Sequence, residues 1–189
     1  MSQAWATRQS RRTVGTDTLG ELRGPAAVSA LVGLRPSLGI TSRAGVVPTA
    51  LSLEVTGPLA RSVADLALVL EVIAVTDPAD PRTADPPKRP DGYSADLADA
   101  SLEGARLGVA VDYRGGNREV DKAFAEAQER LRAEGAQLVE VSLPAALLDA
   151  GSMLERALGE RRQLAADDPR RGVVAADRDG VVAERIARR

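Results

Sequence analysis

The stretch from 106 to 143 constrains the fold more than any other part of the chain. "RLGVAVD" (106–112) reads as a buried strand, and "NREVDKAFAEAQERLRAEG" as a helix that sets Val120, Phe124, Ala127 and Leu131 on one face. "QLVEVSL" alternates apolar and polar residues as a second strand does. Strand, helix and strand in this order make a β-α-β unit, with parallel strands and a right-handed crossover. The chain is therefore expected to be α/β.

Other elements are marked by their boundaries. "SVADLALVLEVIA" places Val63, Leu66, Ala67, Leu70, Ile73 and Ala74 at helical spacing, with Ser62 and Asp65 as a capping box. "PAAVSALVG" (25–33) reads as a short apolar helix with Pro25 in its first turn and Gly33 as its stop. Residues 76–92, with five prolines and four aspartates, read as a surface loop of extended backbone. A helix is expected after Pro144 to about 158. Residues 1–13 show no apolar period and read as an irregular tail. The charged, weakly periodic end reads as a poorly packed tail or short helix.

Composition limits the chemistry. Aromatic residues make up 2% of the 189, so the core must be filled by Ala, Val and Leu, which predicts modest stability. A net charge of −2 lacks the electrostatic footprint of a nucleic-acid binder, and the small basic cluster Arg8, Arg11 and Arg12 reads as part of a flexible tail. No apolar run approaches the roughly 18 residues of a membrane span, and the start lacks a signal-peptide apolar region, so a cytoplasmic location is expected. With no Cys and no His, a thiolate nucleophile, a Ser-His-Asp triad and an ordinary zinc site are excluded, and neither metal nor cofactor is expected. Nucleophilic catalysis would need Ser or Thr with a Lys or carboxylate base, and the only lysines are Lys88 and Lys122.

"VGTDTLGELRGPAA" (14–27) has the look of a loop built to hold an anion or a nucleophile. Gly15-x4-Gly20 suggests a phosphate loop, yet Glu21 and Leu22 stand where Lys and Ser or Thr are required. Asp17 and Glu21 offer a carboxylate pair for a hard cation or for acid/base work. Turn capping with Arg23 paired to either acid is the commoner use of such residues.

Several spaced motifs in this chain occur together in one family. G-T-D-T, R-x-P-A, V-G-L-R-P, S-R-x-G-V, G-P-x-A-R-x-V-x-D and D-P-x-D follow one another, and "LEGARLGVAVDY" and "EGAQLVEVSLP" continue the series. From about Val14 to Pro144 the sequence resembles the amidase signature family. The resemblance implies a mixed β-sheet flanked by helices, of which this chain carries the middle. It divides the chain into an N-terminal tail (1–13), a partial amidase-signature domain (14–144) and a C-terminal helix with a charged tail (145–189).

That family hydrolyses amides by acylating a serine, with a lysine and a second serine relaying the proton. The resemblance matches Gly15, Thr16, Asp17, Thr18, Gly20, Arg23, Pro25 and Ala26 to the nucleophile loop, puts Leu19 on an expected glycine, and puts Glu21 on the nucleophilic serine. "MSQAWATRQSRRT" replaces the region of the relay serine, and the lysine's place falls before Met1. No catalytic position is intact. The backbone N–H groups of Thr18, Leu19, Gly20 and Glu21 would form the oxyanion hole, where a carboxylate can occupy the donors itself. Leu19 would be strained if its place demands positive φ. The implied reading is an amidase-family hydrolase, inactive as this chain. The alternatives are a non-enzymatic binding or scaffold protein for a small amide-like or cationic ligand, and a subunit completed by an N-terminal partner chain. Self-association is expected from apolar faces left uncovered.

Overall fold

The computed structural model describes residues 12–85, 89, 91–113, 115–145 and 150–167. Lys88, Arg8, Arg11, nearly all of the N-terminal tail and the charged tail after 167 lie outside the described residues. The rest is α/β and divides into two compact units, one from the described residues before 91 together with those from 151 onward, the other from those within 91–150.

The first unit is organised by a strand that the sequence disguises. β3 (Val55–Ala60, VTGPLA) is buried at every position and runs between β1 (Arg12–Asp17) and β2 (Val32–Gly33), antiparallel to both. Glycine and proline are both disfavoured inside a central strand. Here Pro58 lies opposite Val14 and its carbonyl accepts Leu34 N–H at 3.1 Å. Gly57 is required by close approach, because a Cβ built on it would stand 2.2 Å from the Leu34 carbonyl oxygen. β1 begins at Arg12, inside the stretch that reads as tail.

Helix α1 (Arg23–Val28) has Pro25 in its first turn as expected, but it ends well short of Gly33. Ala30 takes φ 51°, which turns the chain into β2, and Gly33 sits in that strand with no room for a Cβ, Ala26 Cβ being 2.8 Å away. Leu22, Ala26 and Leu59 form the buried cluster, with Leu31 packed beside it. Helix α2 (Val63–Ile73) lies on β3 and buries Leu66, Ala67 and Leu70, while Val63 is 53% exposed. Its start is capped by Ser62, whose Oγ accepts Asp65 N–H at 3.1 Å. Asp65 returns to Ser62 Oγ and to Arg12 of β1, so the box is closed through side chains.

Residues 34–54 cross the unit without regular structure and are pinned by side chains. Thr41 Oγ1 donates to Thr56 O at 2.7 Å and Thr56 Oγ1 to Ser42 O at 2.8 Å. The proline-rich segment is less of a surface loop than its composition suggests. A 3-10 turn at Pro81–Thr83 buries Thr83 completely, and Thr83 Oγ1 accepts Asp77 N–H at 2.7 Å. The late helix α4 (Ala150–Asp167) extends beyond 158, buries Ala157, and accepts Ser52 N–H on Glu160 at 2.9 Å.

The second unit contains the expected β-α-β. β4 (Arg106–Ala110) and β5 (Gln137–Val141) are parallel and in register from Arg106 opposite Gln137 to Ala110 opposite Val141. Helix α3 (Arg118–Ala133) joins them, capped by Asn117 Oδ1 on the N–H groups of Glu119 and Val120. Burial is where the expectation fails. Only Val109 of β4 is buried, α3 buries nothing, and Phe124 of its apolar face is 46% exposed. A two-stranded sheet with one helix has too little surface to enclose both strand faces.

Candidate functional site

The loop between β1 and α1 is built around two carboxylates with different partners. Asp17, at the end of β1, is completely buried. Its Oδ1 accepts Gly20 N–H at 3.0 Å and Arg23 Nη2 at 3.2 Å, and its Oδ2 accepts Arg23 N–H at 3.2 Å and Arg23 Nε at 2.9 Å. Arg35 adds a second guanidinium, with Nε 3.5 Å from Asp17 Oδ1. Burial works against the charge, but the Arg23 side chain and the N–H donors more than offset it, and the Asp17 pKa lies below the ordinary carboxylate value. Asp17 thus closes the turn and caps α1, whose own N-cap residue, Leu22, offers no side-chain acceptor.

Glu21 turns back over the same loop. Its Oε2 accepts Thr18 N–H and Leu19 N–H, both at 2.8 Å. Loss of hydration on the loop raises its pKa, the N–H groups of Leu19, Glu21 and Thr18 lower it by more, and the net shift is downward, against the nearby charge of Asp17. Glu21 is therefore ionised and seated on two backbone donors at neutral pH. Arg23, free by sequence to pair with either acid, pairs with Asp17.

The four loop residues singled out by sequence do not act alike. Thr18 and Leu19 point their N–H groups at Glu21, while Gly20 gives its N–H to Asp17. The expected strain at Leu19 is absent: Gly20 carries the positive φ of 123°, and Ala30 is the one non-glycine with positive φ among the described residues. Placing the glycine at the tight point leaves Leu19, 41% exposed, in an ordinary conformation. Lys122 lies on α3 in the other unit and is exposed.

A second polar group lies in the first unit and is not evident from the loop sequence. Asp80 accepts Arg43 N–H and Nε on Oδ2, both at 3.0 Å, and Arg43 Nη2 on Oδ1 at 3.1 Å. Glu54 is 4% exposed, and its Oε2 accepts Thr49 N–H at 2.7 Å. Burial pushes the Glu54 carboxyl up; the Thr49 N–H opposes this, Glu21 adds to it and Arg43 opposes it. Arg43 and Asp80 stand in the S-R-x-G-V and D-P-x-D motifs, so a signal for both was present, but nothing in one sequence pairs two residues 37 apart.

With this geometry in hand, the comparison with known proteins is decisive. The amidase family model matches residues 3–173. The chain belongs to the amidase family. It is similar to the A subunit of glutamyl-tRNA(Gln) amidotransferase from Myxococcus xanthus, 42% identical over 201 residues, which cover 98% of this chain and 41% of that protein. Among solved structures, native peptide amidase from Stenotrophomonas maltophilia superposes with a TM-score of 0.69 at 35% identity, covering 87% of this chain and 35% of that one. The amidotransferase A subunit from Thermotoga maritima superposes with a TM-score of 0.73 at 27% identity, covering 86% and 34%. The amidase-family chain spans about two-fifths or less of the length of these relatives. Among its described residues, no helix is long and apolar enough to cross a membrane.

Proposed function

We propose that this chain is a segment of an amidase-family hydrolase and does not hydrolyse amides by itself. The observation that carries the reading is the seat of Glu21, whose Oε2 takes the Thr18 and Leu19 N–H groups at 2.8 Å each. By family resemblance these donors belong to the oxyanion hole and Glu21 replaces the nucleophilic serine. An oxyanion hole works by presenting preorganised donors to negative charge that develops in the transition state. Here an ionised carboxylate already holds two of them, and a substrate oxyanion would meet like charge as well as lost donors. Among the described residues proton relay has no evident agent, since Lys122 sits exposed on α3 and Glu21 is held ionised by hydrogen bonds rather than aimed at a neighbouring hydroxyl.

A second reading is favoured by length. The relatives are named as subunits of an amidotransferase, and this chain spans 41% or less of them. A partner chain that carries the lysine and relay serine would complete the fold, with a carboxamide as substrate. A cytoplasmic location, without cofactor, membrane or nucleic acid, goes with either reading.

The test assays the wild-type chain and Leu19→Gly/Glu21→Ser against glutamine and a panel of simple aryl and alkyl amides, alone and with a second chain carrying the family's lysine and relay serine. Both proteins alone are expected at background, because groups that act as one catalytic unit fail together. Hydrolysis by wild type alone would overturn the inactive reading. Hydrolysis by the double variant only when the second chain is present would establish the completed subunit.

A further inference from the structure

An open cleft of about 280 Å3 lies in the first unit, lined by Arg43, Val46, Pro48, Leu51, Glu54 and Asp80 among others. Its charged groups are not equally available. Asp80 is saturated, each oxygen accepting two hydrogen bonds: Oδ2 those of Arg43 N–H and Nε, Oδ1 those of Arg43 Nη2 and Arg82 N–H. Arg43 spends its remaining arm on Leu51 O, Nη1 lying 2.7 Å away. Arg43 and Asp80 therefore cancel each other and leave no cation for an incoming anion. Glu54 differs from both. It is 4% exposed, it lines the cleft, and Thr49 N–H, on Oε2, is the one hydrogen bond its carboxylate accepts among the described residues. Its second oxygen accepts no hydrogen bond among the described residues and is not sealed from solvent, so it retains acceptor capacity toward the cleft.

We propose that this cleft binds a small primary alkylammonium, whose N–H donors are accepted by Glu54 Oε1 and whose alkyl body lies against Val46, Pro48 and Leu51. The chemistry of the lining selects this class. An anion finds every guanidinium nitrogen that faces Asp80 or Leu51 already engaged. A hard metal ion requires several oxygens, and the described residues contain no group of three or more His, Cys, Asp or Glu able to hold one. A primary ammonium carries three donors on a compact charge, so one can meet Glu54 while the others stay hydrated in the open cleft and the alkyl body meets the apolar wall. Burial of Glu54 also penalises its charge, with Glu21 adding to that penalty, so a bound cation relieves both. The site uses none of the Thr18–Leu19 donors and does not require Glu21 to stand for the family serine.

The experiment uses the full chain, amide-resolved NMR and n-butylammonium chloride at constant ionic strength. Saturable shifts confined to residues 43–54 and 77–83 are expected, and Glu54→Gln, which keeps an acceptor for Thr49 N–H, is expected to weaken binding at least tenfold. Butan-1-ol, of the same length without the charge, is the control on wild type and holds even if the variant does not fold. It is expected to give no saturable shifts there. Absence of saturation with n-butylammonium, equal binding of butan-1-ol, or unchanged affinity in Glu54→Gln would each overturn the proposal and leave Glu54 as a clip for the 49–54 turn.

Discussion

Arg43 grips Asp80 three times, through its backbone N–H at 3.0 Å, Nε at 3.0 Å and Nη2 at 3.1 Å. The pair spans 37 residues and ties the 3-10 turn at 81–83 to the long connection between β2 and β3. Both side chains are largely shielded, at 13% and 7% exposure. Removing one partner strands the other, which in a buried pair costs about 3 kcal/mol or more. Asp80→Ala is therefore expected to lower the urea midpoint by at least that equivalent, or to abolish cooperative unfolding, whereas a change under about 1 kcal/mol would show the pair to be dispensable.

The same contact sets an acid limit. Arg43 holds the Asp80 carboxyl at about 2, below its usual 3.8. A carboxyl lowered in the folded state binds its proton first in the unfolded chain. Its contribution, about 2 kcal/mol, is thus present above pH 4 and lost as pH falls from 4 towards 2. Stability measured from pH 6 to pH 2 should fall most steeply in that window, and Asp80→Asn should flatten the curve.

Glu21 is also lowered, so its contribution has the same sign: present at neutral pH and lost on acidification below the ordinary glutamate range. Glu21 is exposed, and solvent screening keeps the effect small, at most about 1 kcal/mol. Glu21→Ala should leave the fold intact and speed hydrogen exchange at the Thr18 and Leu19 amides, both of which lose their acceptor. Unchanged exchange at those two amides would refute the contact.

Two glycines should respond in opposite directions. Gly57→Ala places a Cβ 2.2 Å from the Leu34 carbonyl oxygen and 3.0 Å from Pro36 Cδ, in the strand at the centre of the sheet. Backbone cannot yield there cheaply, and a loss of about 3 kcal/mol or failure to fold is expected. Gly159 lies inside α4 with open space around its Cβ position apart from the helix's own backbone and chain neighbours, so Gly159→Ala should stabilise by about 0.5 to 1 kcal/mol. Thermal midpoints of the two variants check both signs.

Val120 and Phe124 of α3 are 62% and 46% exposed, and Val139 of β5 is 40% exposed. Such a patch promotes self-association and dye binding. Phe124→Glu is expected to reduce both while changing stability by less than about 0.5 kcal/mol. The strongest hydrogen-exchange protection should fall on β3, the strand buried at every position, rather than on the more regular β-α-β unit. A compact monomer without dye binding would contradict the first expectation, and slower exchange in β4 and β5 than in β3 the second.

By itself the sequence determined the local and the familial. Periodicity and caps located α2 and α3, because a capping serine or asparagine and a 3.6-residue apolar repeat act within a few residues of chain. Motif order identified the family, and the contact of Glu21 with the Thr18 and Leu19 N–H groups is also local, spanning only two or three residues. Tertiary structure decided the rest. β3 became the central strand despite its Gly57 and Pro58, since burial between β1 and β2 outweighs a weak local propensity. Arg43 found Asp80, and Glu54 came to line a cleft, through folding of the long 34–54 connection, whose path no local pattern records. Conversely, the clear signal at 106–143 fixed the elements but not their burial, because whether an apolar face is covered depends on what packs against it and not on the residues that form it.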